Sequence, residues 1–330
     1  SFSNMFKGAT AFHGNIGGWD VSRAEENYAT LLKMGEGVLP PRGSESDKPY
    51  SRFMAIYAAL CRYHMKTYGT TQRQIAAVSA KNHTHSVHNP YSQFRKPFSI
   101  DEVLAAPPIT YPLTLPMCAP LSDGAAAAIL CTEEGLKRIG ADRKRGVKVA
   151  ASVIRSFTHR GLDQPERNVG HLAAKQAYEI AGLDPDDRDV AEVHDASAMG
   201  EIIQAENLGL VPLGGGGPAA ERGEFTLGGR TPINPSGGLE SKGHPLGATG
   251  IGQLYELVTQ LRGEAGARQV EGARHAIQEN GGGLSSISGC GATRNTKGAR
   301  VRSTSPSVAT LMRIAPRVPR RRLGRTVSSG

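Results

Sequence analysis

From Pro49 onward the apolar positions of the chain recur with helical spacing. Phe53, Ile56, Tyr57, Leu60, Cys61 and His64 share one helix face, which ends before Tyr68-Gly69. A shorter helix is expected over Gln72 to Lys81, capped by Thr71, and Ser99-Ile100-Asp101-Glu102 opens another with a capping arrangement. Between them KNHTHSVHNPYSQFR reads as a polar loop. Ala125 to Cys131 is a continuous run of small and apolar residues, expected to be a fully buried strand, and Thr132 with Glu133 and Glu134 starts the helix after it. Val147 to Phe157 alternates and is β-branched enough for a strand. Residues 168–182 read as a helix, with Asn168 as N-cap and Gly182 as stop. Val190 to Val193 reads as a short buried strand ending in His194-Asp195-Ala196, followed by a helix from Ser197 to Leu208. The four glycines 214–217 read as a flexible loop, Gln253 to Leu261 as an apolar helix, and Ala273 to Gly283 as a late strand.

Strand and helix in turn, joined by short connections, predict an α/β protein on a mostly parallel or mixed sheet. The ends read differently. Residues 1–22 carry MFKGATAFHGNIGGWDVS, residues 23–47 are charged and rich in Pro, Gly and Ser like a linker, and from Arg294 to Gly330 there are nine Arg, one Lys and no acid. Since the whole chain of 330 residues has a formal charge of +9, the rest nets about −1, so the basic character belongs to a tail. That tail is rich in Ser, Thr, Pro and Arg without an apolar period and is expected to be disordered; nucleic-acid binding through it is the less favoured reading. No run approaches a membrane-spanning length and no basic-then-apolar leader opens the chain, so a soluble protein is expected, in the cytoplasm or another compartment. The four cysteines, Cys61, Cys118, Cys131 and Cys290, lack paired spacing, which argues against a zinc site or a disulfide framework. His83, His85 and His88 lack a usual ligand set around them, and no metal site is expected.

The chemistry concentrates in Asn234 to Gly252, NPSGGLESKGHPLGATGIG. Glycines at 243, 247, 250 and 252 let backbone pass close to a bulky ligand, and the helix that follows offers free N–H groups to negative charge. His244 stands among them; the plainer reading is an ordinary turn residue before a surface helix. His194 and Asp195 close a buried strand, where α/β folds place chemistry, or else simply cap the next helix.

NPSGG…GHPLGATG resembles the signature of the thiolase family, and more closely that of sterol-carrier-protein-x-type thiolases. KNH…NPYSQFR, Ser122-Asp123-Gly124-Ala125-Ala126-Ala127, EVHDASA and AIQENGGG resemble further elements of the same family, over residues 48 to 284. The resemblance implies a partial thiolase fold of αβαβα layers, with a truncated N-terminal domain (48–140, including a loop domain that helps wall the acyl-chain and pantetheine tunnel) and a nearly complete C-terminal domain (141–290). Residues 1–47 would be an extension, similar at 1–22 to one unit of a bacterial-surface leucine-rich repeat, and 291–330 the tail. It also implies acyl transfer on acyl-CoA thioesters, with coenzyme A as part of the substrate and no separate cofactor. His244 would be the base that activates a cysteine, His194 part of the oxyanion hole, and Glu279 or Asn280 the acid/base where relatives have Cys-x-Gly or His-Asn. Gly243, Gly247 and Ser236 would border the coenzyme. None of the four cysteines stands in the family's Cys-Ala-Ser-Gly context, so the nucleophile is expected from elsewhere, whether a missing segment or a complementing chain; the partner expected besides acyl-CoA is a second copy, as a homodimer, or that complementing chain. The alternative is a non-catalytic remnant that binds CoA or an acyl chain. Relatives in eukaryotes are often peroxisomal, but this chain ends Ser-Ser-Gly.

Overall fold

The computed structural model describes residues 22–156, 164–282, 287–295 and 308–312. The repeat-like segment 1–21 lies outside them. Helix α1 (Ser22–Lys33) packs on α2 (Arg52–Tyr68), so the first part of the stretch expected to be a linker is helical; its YATLLK end supplies apolar positions that the charge of the segment masks. In α2 the Ser51 side chain accepts from the Phe53 N–H, and Gly69, at φ 74, accepts the left-handed exit that ends the helix. Ile56, Ala58, Ala59, Cys61 and His64 form its buried face.

Helix α3 spans Gln72–Ser86, five residues beyond the expected end, with a capping box between Thr71 and Gln74. The polar run Lys81-Asn82-His83 therefore belongs to a helix, and all three residues are buried. Sequence pattern predicted a loop there because polar residues are mostly exposed; α3 is instead enclosed by α4 (Ile100–Ala105), α7 (Ala198–Asn207), α8 (Gly216–Glu221) and the π-helical turn Gly238–Lys242. Its alanines, Ala76, Ala77 and Ala80, let those neighbours approach. The glycine run 214–217 is likewise ordered: it enters α8, where a side chain on Gly216 would meet Ile202 at 2.8 Å and one on Gly217 would meet Gln74 at 2.8 Å.

A short hairpin, β1 (Pro108–Thr110) and β2 (Leu113–Thr114), leads into the main sheet. That sheet has six strands in the order β3 (Ala128–Thr132), β8 (Val308–Met312), β4 (Val147–Ser156), β7 (Ile287–Asn295), β6 (His275–Gly282) and β5 (Val190–Glu192). Only β5 and β6 are parallel among these pairs. Ile277, Ala151 and Val153 face α6 (Val169–Ala181) and α7, and Ala276, Val147 and Val190 face α9 (Thr249–Arg262); alternation separates Ala276 from Ile277, while in β4 a register shift between Val149 and Ala151 turns Val147 to the other face from Ala151 and Val153. The sheet is thus covered on both faces, with α2 and α3 forming a further tier against α7.

Two expectations change at the far edge of the sheet. Strand β3 is not buried: Ile129 and Leu130 are 49% and 63% exposed, because β3 is an edge strand that β8 covers on one side only. The basic tail contributes 291–295 to β7 and 308–312 to β8, since Val308-Ala309-Thr310-Leu311 has the β-branched alternation that arginine-rich flanks obscure. Cys290 lies in β7, with its backbone opposite Glu279, rather than in a tail.

These placements predict a contrast in urea denaturation. Thr71→Ala, which removes the capping box of the enclosed helix, should cost about 1 kcal/mol, whereas Leu130→Ser on the exposed strand should stay within about 0.5 kcal/mol. A cost for Leu130→Ser above about 2 kcal/mol would mean that this strand is buried after all.

Candidate active site

The site is built where the end of β5 meets the turn before α9. A polar residue is needed to turn the chain out of a buried strand, and His194-Asp195 does so: the His194 N–H donates to Glu279 Oε2 at 3.1 Å, and the Val193 N–H to Asn234 Oδ1 at 2.8 Å. Asn234 itself has φ 51, a left-handed conformation that asparagine tolerates. Helix α7 presses on this strand end through Gly200, where a side chain would stand 3.0 Å from the His194 carbonyl oxygen.

The turn that follows Asn234 can exist only with glycine at two positions. A Cβ on Gly237 would lie 2.5 Å from that of Ser86, and one on Gly238 would lie 2.0 Å from Asp195 Oδ2. The Ser86 and Ser241 hydroxyls bond at 2.6 Å, and the Leu239 N–H donates to Asp195 Oδ1 at 2.8 Å. The chain then passes Gly243, at φ 111, and presents His244. Its backbone N–H donates to Ser122 Oγ at 3.0 Å, and its Nδ1 lies 2.7 Å from Thr249 Oγ1. Gly124 touches Pro245, so the Ser122-Asp123-Gly124 segment and the Gly-His-Pro turn are held together.

The two histidine rings meet edge to face, with centroids 4.9 Å apart and planes at 79°. Both are held neutral. Burial lowers His194 to about 3, helped by the neighbouring His244; burial lowers His244 to about 4, helped by Lys242. With His244 Nδ1 on Thr249, no residue among those described bonds to Nε2. A cavity of about 410 Å³ opens beside this turn, between Ser122–Ala126 and Pro245–Ala248, with Leu246 79% exposed at its edge.

The other expected site residues divide. Gly247 lines that cavity with open space around it, whereas Gly243 is packed against Ser122 and Gln93. Asn280 lies beside Gly250, the virtual Cβ of which is 3.0 Å from its Nδ2, and its buried Oδ1 has no partner. Glu279 faces the other way, toward His194 and Tyr57; burial, with the charges of Glu279 and Asp195, pushes the Tyr57 phenol above its usual range. Ser236 is not on the cavity. It is fully buried, its N–H and hydroxyl both on Glu192 at 3.0 and 2.8 Å, so it anchors the turn.

Ser122, Thr249, Asn82 and Glu240 lie inside motifs read from the sequence but had no role of their own there. Each is an ordinary polar residue until the fold sets it against a histidine loop. His83 and His85, expected in a loop, bind backbone carbonyls of Pro116 and Asn234 from within α3, and His88 is exposed, so the three diverge. Among the described residues no group of three or more His, Cys, Asp or Glu side chains is arranged to hold a metal ion. Burial pushes the Cys118 thiol up to about 12 and Cys61 well above its usual value.

Residues 159–290 match the family described as Thiolase C-terminal domain-like. The chain is 46% identical over 235 residues to sterol carrier protein 2 of Oryctolagus cuniculus, covering 68% of this chain and 42% of that one. It is 44% identical over 234 residues to an acetyl-CoA acetyltransferase of Methanothermobacter thermautotrophicus, covering 70% of this chain and 60% of that one. Over residues 159–290 the chain matches the thiolase C-terminal domain family, and over about two-thirds of its length it is similar to these relatives. It therefore spans about two-fifths of the length of the sterol carrier protein 2 relatives it matches. The fold agrees: an Ltp2-ChsH2(DUF35) aldolase superposes with a TM-score of 0.65 at 20% identity, over 86% of this chain and 70% of that one. Human mitochondrial 3-ketoacyl-CoA thiolase does so at 0.53 and 15% identity, over 74% and 59%. This thiolase-family fold is partial in the described residues, with one covered six-stranded sheet.

Two outcomes follow from the geometry. Gly238→Ala combines a positive φ with a collision against the buried, hydrogen-bonded Asp195 carboxylate and should cost about 3 kcal/mol or more, or prevent folding. The neutral histidines act on the acid side. Their folded pKa values lie below the unfolded value near 6.5, so their contribution is complete above about pH 6.5 and is lost as pH falls toward 4. Melting temperatures of His194→Gln should fall less over pH 6.5 to 4 than those of the wild type.

Proposed function

We propose that this chain carries the base and oxyanion half of a thiolase-type acyl-transfer site acting on acyl-CoA thioesters. The observation that carries this reading is the neutral His194–His244 pair beside the open cavity at the Gly-His-Pro turn. Thioester exchange needs a base that is not already protonated, and donors aimed at the carbonyl oxygen as it gains charge. His244, oriented by Thr249 through Nδ1, is the base through Nε2. His194 is a donor in the oxyanion hole, and the Asn280 side chain, with an unpartnered oxygen, takes the acid/base or orienting position. Gly247 lies on the wall along which the coenzyme thioester passes, Gly243 packs behind it on Ser122, and Ser236 anchors the turn through Glu192. The resemblance to acyl-CoA-processing relatives named for acetyl-CoA acetyltransferase and benzoylsuccinyl-CoA thiolase activity supports the substrate class. No helix among the described residues is long and apolar enough to cross a membrane, in keeping with a coenzyme taken up from water.

The nucleophile is the part these residues do not supply. Cys61 and Cys118 are held protonated by burial, which makes them poor nucleophiles at neutral pH. In this reading the attacking thiolate comes from a complementing chain or a longer form of the polypeptide, with coenzyme A as part of the substrate and no resident cofactor or metal. The second reading, a module that binds CoA or an acyl chain without turnover, is favoured by those same protonated thiols.

Intact mass after exposure to acetoacetyl-CoA separates the readings, with coenzyme A titration by calorimetry alongside. An acetyl adduct that His244→Ala lowers by about 100-fold or more in rate supports acyl transfer. Binding with no adduct, and with no His244-dependent thioester exchange to an added small thiol, supports the binding module. Neither adduct nor binding in folded protein removes both.

A further inference from the structure

Beneath the histidine pair lies a cluster of ionisable side chains that acyl transfer leaves unused. Asp195, Glu201 and Glu240 come from the end of β5, from α7 and from the π-helical turn, and all are 0% exposed. They converge on one amide of α3: Asn82 Nδ2 lies 3.1 Å from Asp195 Oδ2, from Glu201 Oε2 and from Glu240 Oε1. An amide nitrogen has two hydrogens for those three acceptors. Lys81 is the cation that enters, at 2.6 Å from Glu201 Oε1, and its Nζ also donates to the Ile233 carbonyl. Three carboxylates sharing one ammonium, all removed from water, cannot all stay ionised. A further atom of the cluster, Asn82 Oδ1, is buried with no hydrogen-bond partner, and Glu240 has the Ser79 side chain as its other polar partner.

We infer that Glu240 holds a proton in the folded protein and acts through Asn82 as a positioning residue, locking the His194 strand end to the His244 turn. Asp195 is the neighbour of His194 and accepts from Leu239, the neighbour of Glu240, so the cluster fastens both histidine loops to α3. An ionised Glu240 would face Asp195 and Glu201 and would weaken that clasp. The surroundings are consistent. Glu240 is raised to about 8 by burial and by Glu201, and Asp195 is raised by burial, Glu240 and Glu201. From each packed element Glu240 meets Lys81 on α3, Glu201 on α7, Asp195 after β5 and Cys118 after the hairpin, with Lys242 on its own turn.

The sign is opposite to that of the histidines. A carboxyl whose folded pKa is raised stabilises fully below its unfolded value near 4.5 and loses that contribution as pH rises through about 8. Between pH 6.5 and 8 the contributions of His194 and His244 are flat, so they do not mask a slope from Glu240, Asp195 and the buried Glu192, which burial also raises.

Two measurements on the full chain without ligand test the inference, so its failure is separate from any failure of acyl transfer. In the wild type, infrared difference spectra should show a protonated-carboxyl C=O band at pH 7 that is lost with a midpoint near pH 8. Glu240→Gln, which keeps a neutral side chain of the same shape, should lack that band and flatten the fall of melting temperature between pH 6.5 and 8. A band unchanged in Glu240→Gln, or an identical slope, overturns the inference. If Glu240→Gln fails to fold, the same titration on Asp195→Asn and on Glu192→Gln decides: a protonated-carboxyl band at pH 7 that survives in both supports the assignment, and its loss in either overturns it.

Discussion

One side-chain amide holds the described structure to its site. Asn82, in the enclosed helix α3, bridges the end of a strand, the start of α7 and the π-helical turn through three buried carboxylates. Buried polar groups in a low-dielectric interior are costly unless partnered, so they tolerate few alternative geometries once formed. That intolerance is useful here. Two histidines separated by fifty residues in sequence are brought to 4.9 Å because the loops that carry them are fastened to the same helix.

The glycines complete the constraint from the other side. Gly237 and Gly238 allow the turn to lie directly on Ser86 and Asp195, which any side chain would prevent. Small residues on α3 and α8 do the same for helix packing. Close approach, rather than loop flexibility, explains much of the glycine in this part of the chain; Gly216 and Gly217 are buried inside a helix.

The electrostatics of the site follow from the same enclosure. Burial pushes both imidazoles toward their neutral forms and the nearby carboxyls toward theirs, so a site rich in titratable groups carries little charge at neutral pH. A neutral His244 with one nitrogen anchored on Thr249 has the state a base requires. The Cys61 and Cys118 thiols respond to burial in the opposite sense from what a nucleophile requires.

Local patterns in the sequence determined most of the helices and their ends. Ser51, Thr71, Ser99 and Asn168 satisfy N–H groups within three residues of themselves, and Gly69 and Gly182 relieve a left-handed exit, so these signals need no partner distant in sequence. The Gly-His-Pro motif was legible for a similar reason, since its glycines encode an unusual backbone. Burial was decided elsewhere. Lys81-Asn82-His83 reads as solvent-loving and AILCT as core, yet the fold encloses the first and leaves the second on a sheet edge, because exposure depends on which elements pack around a segment. The roles of Ser122, Glu240 and Ser236 were decided in the same way, by partners 122, 158 and 44 residues away in the chain. Propensity acts over a few residues and could be read; the pairing of distant polar groups is a property of the packed chain alone.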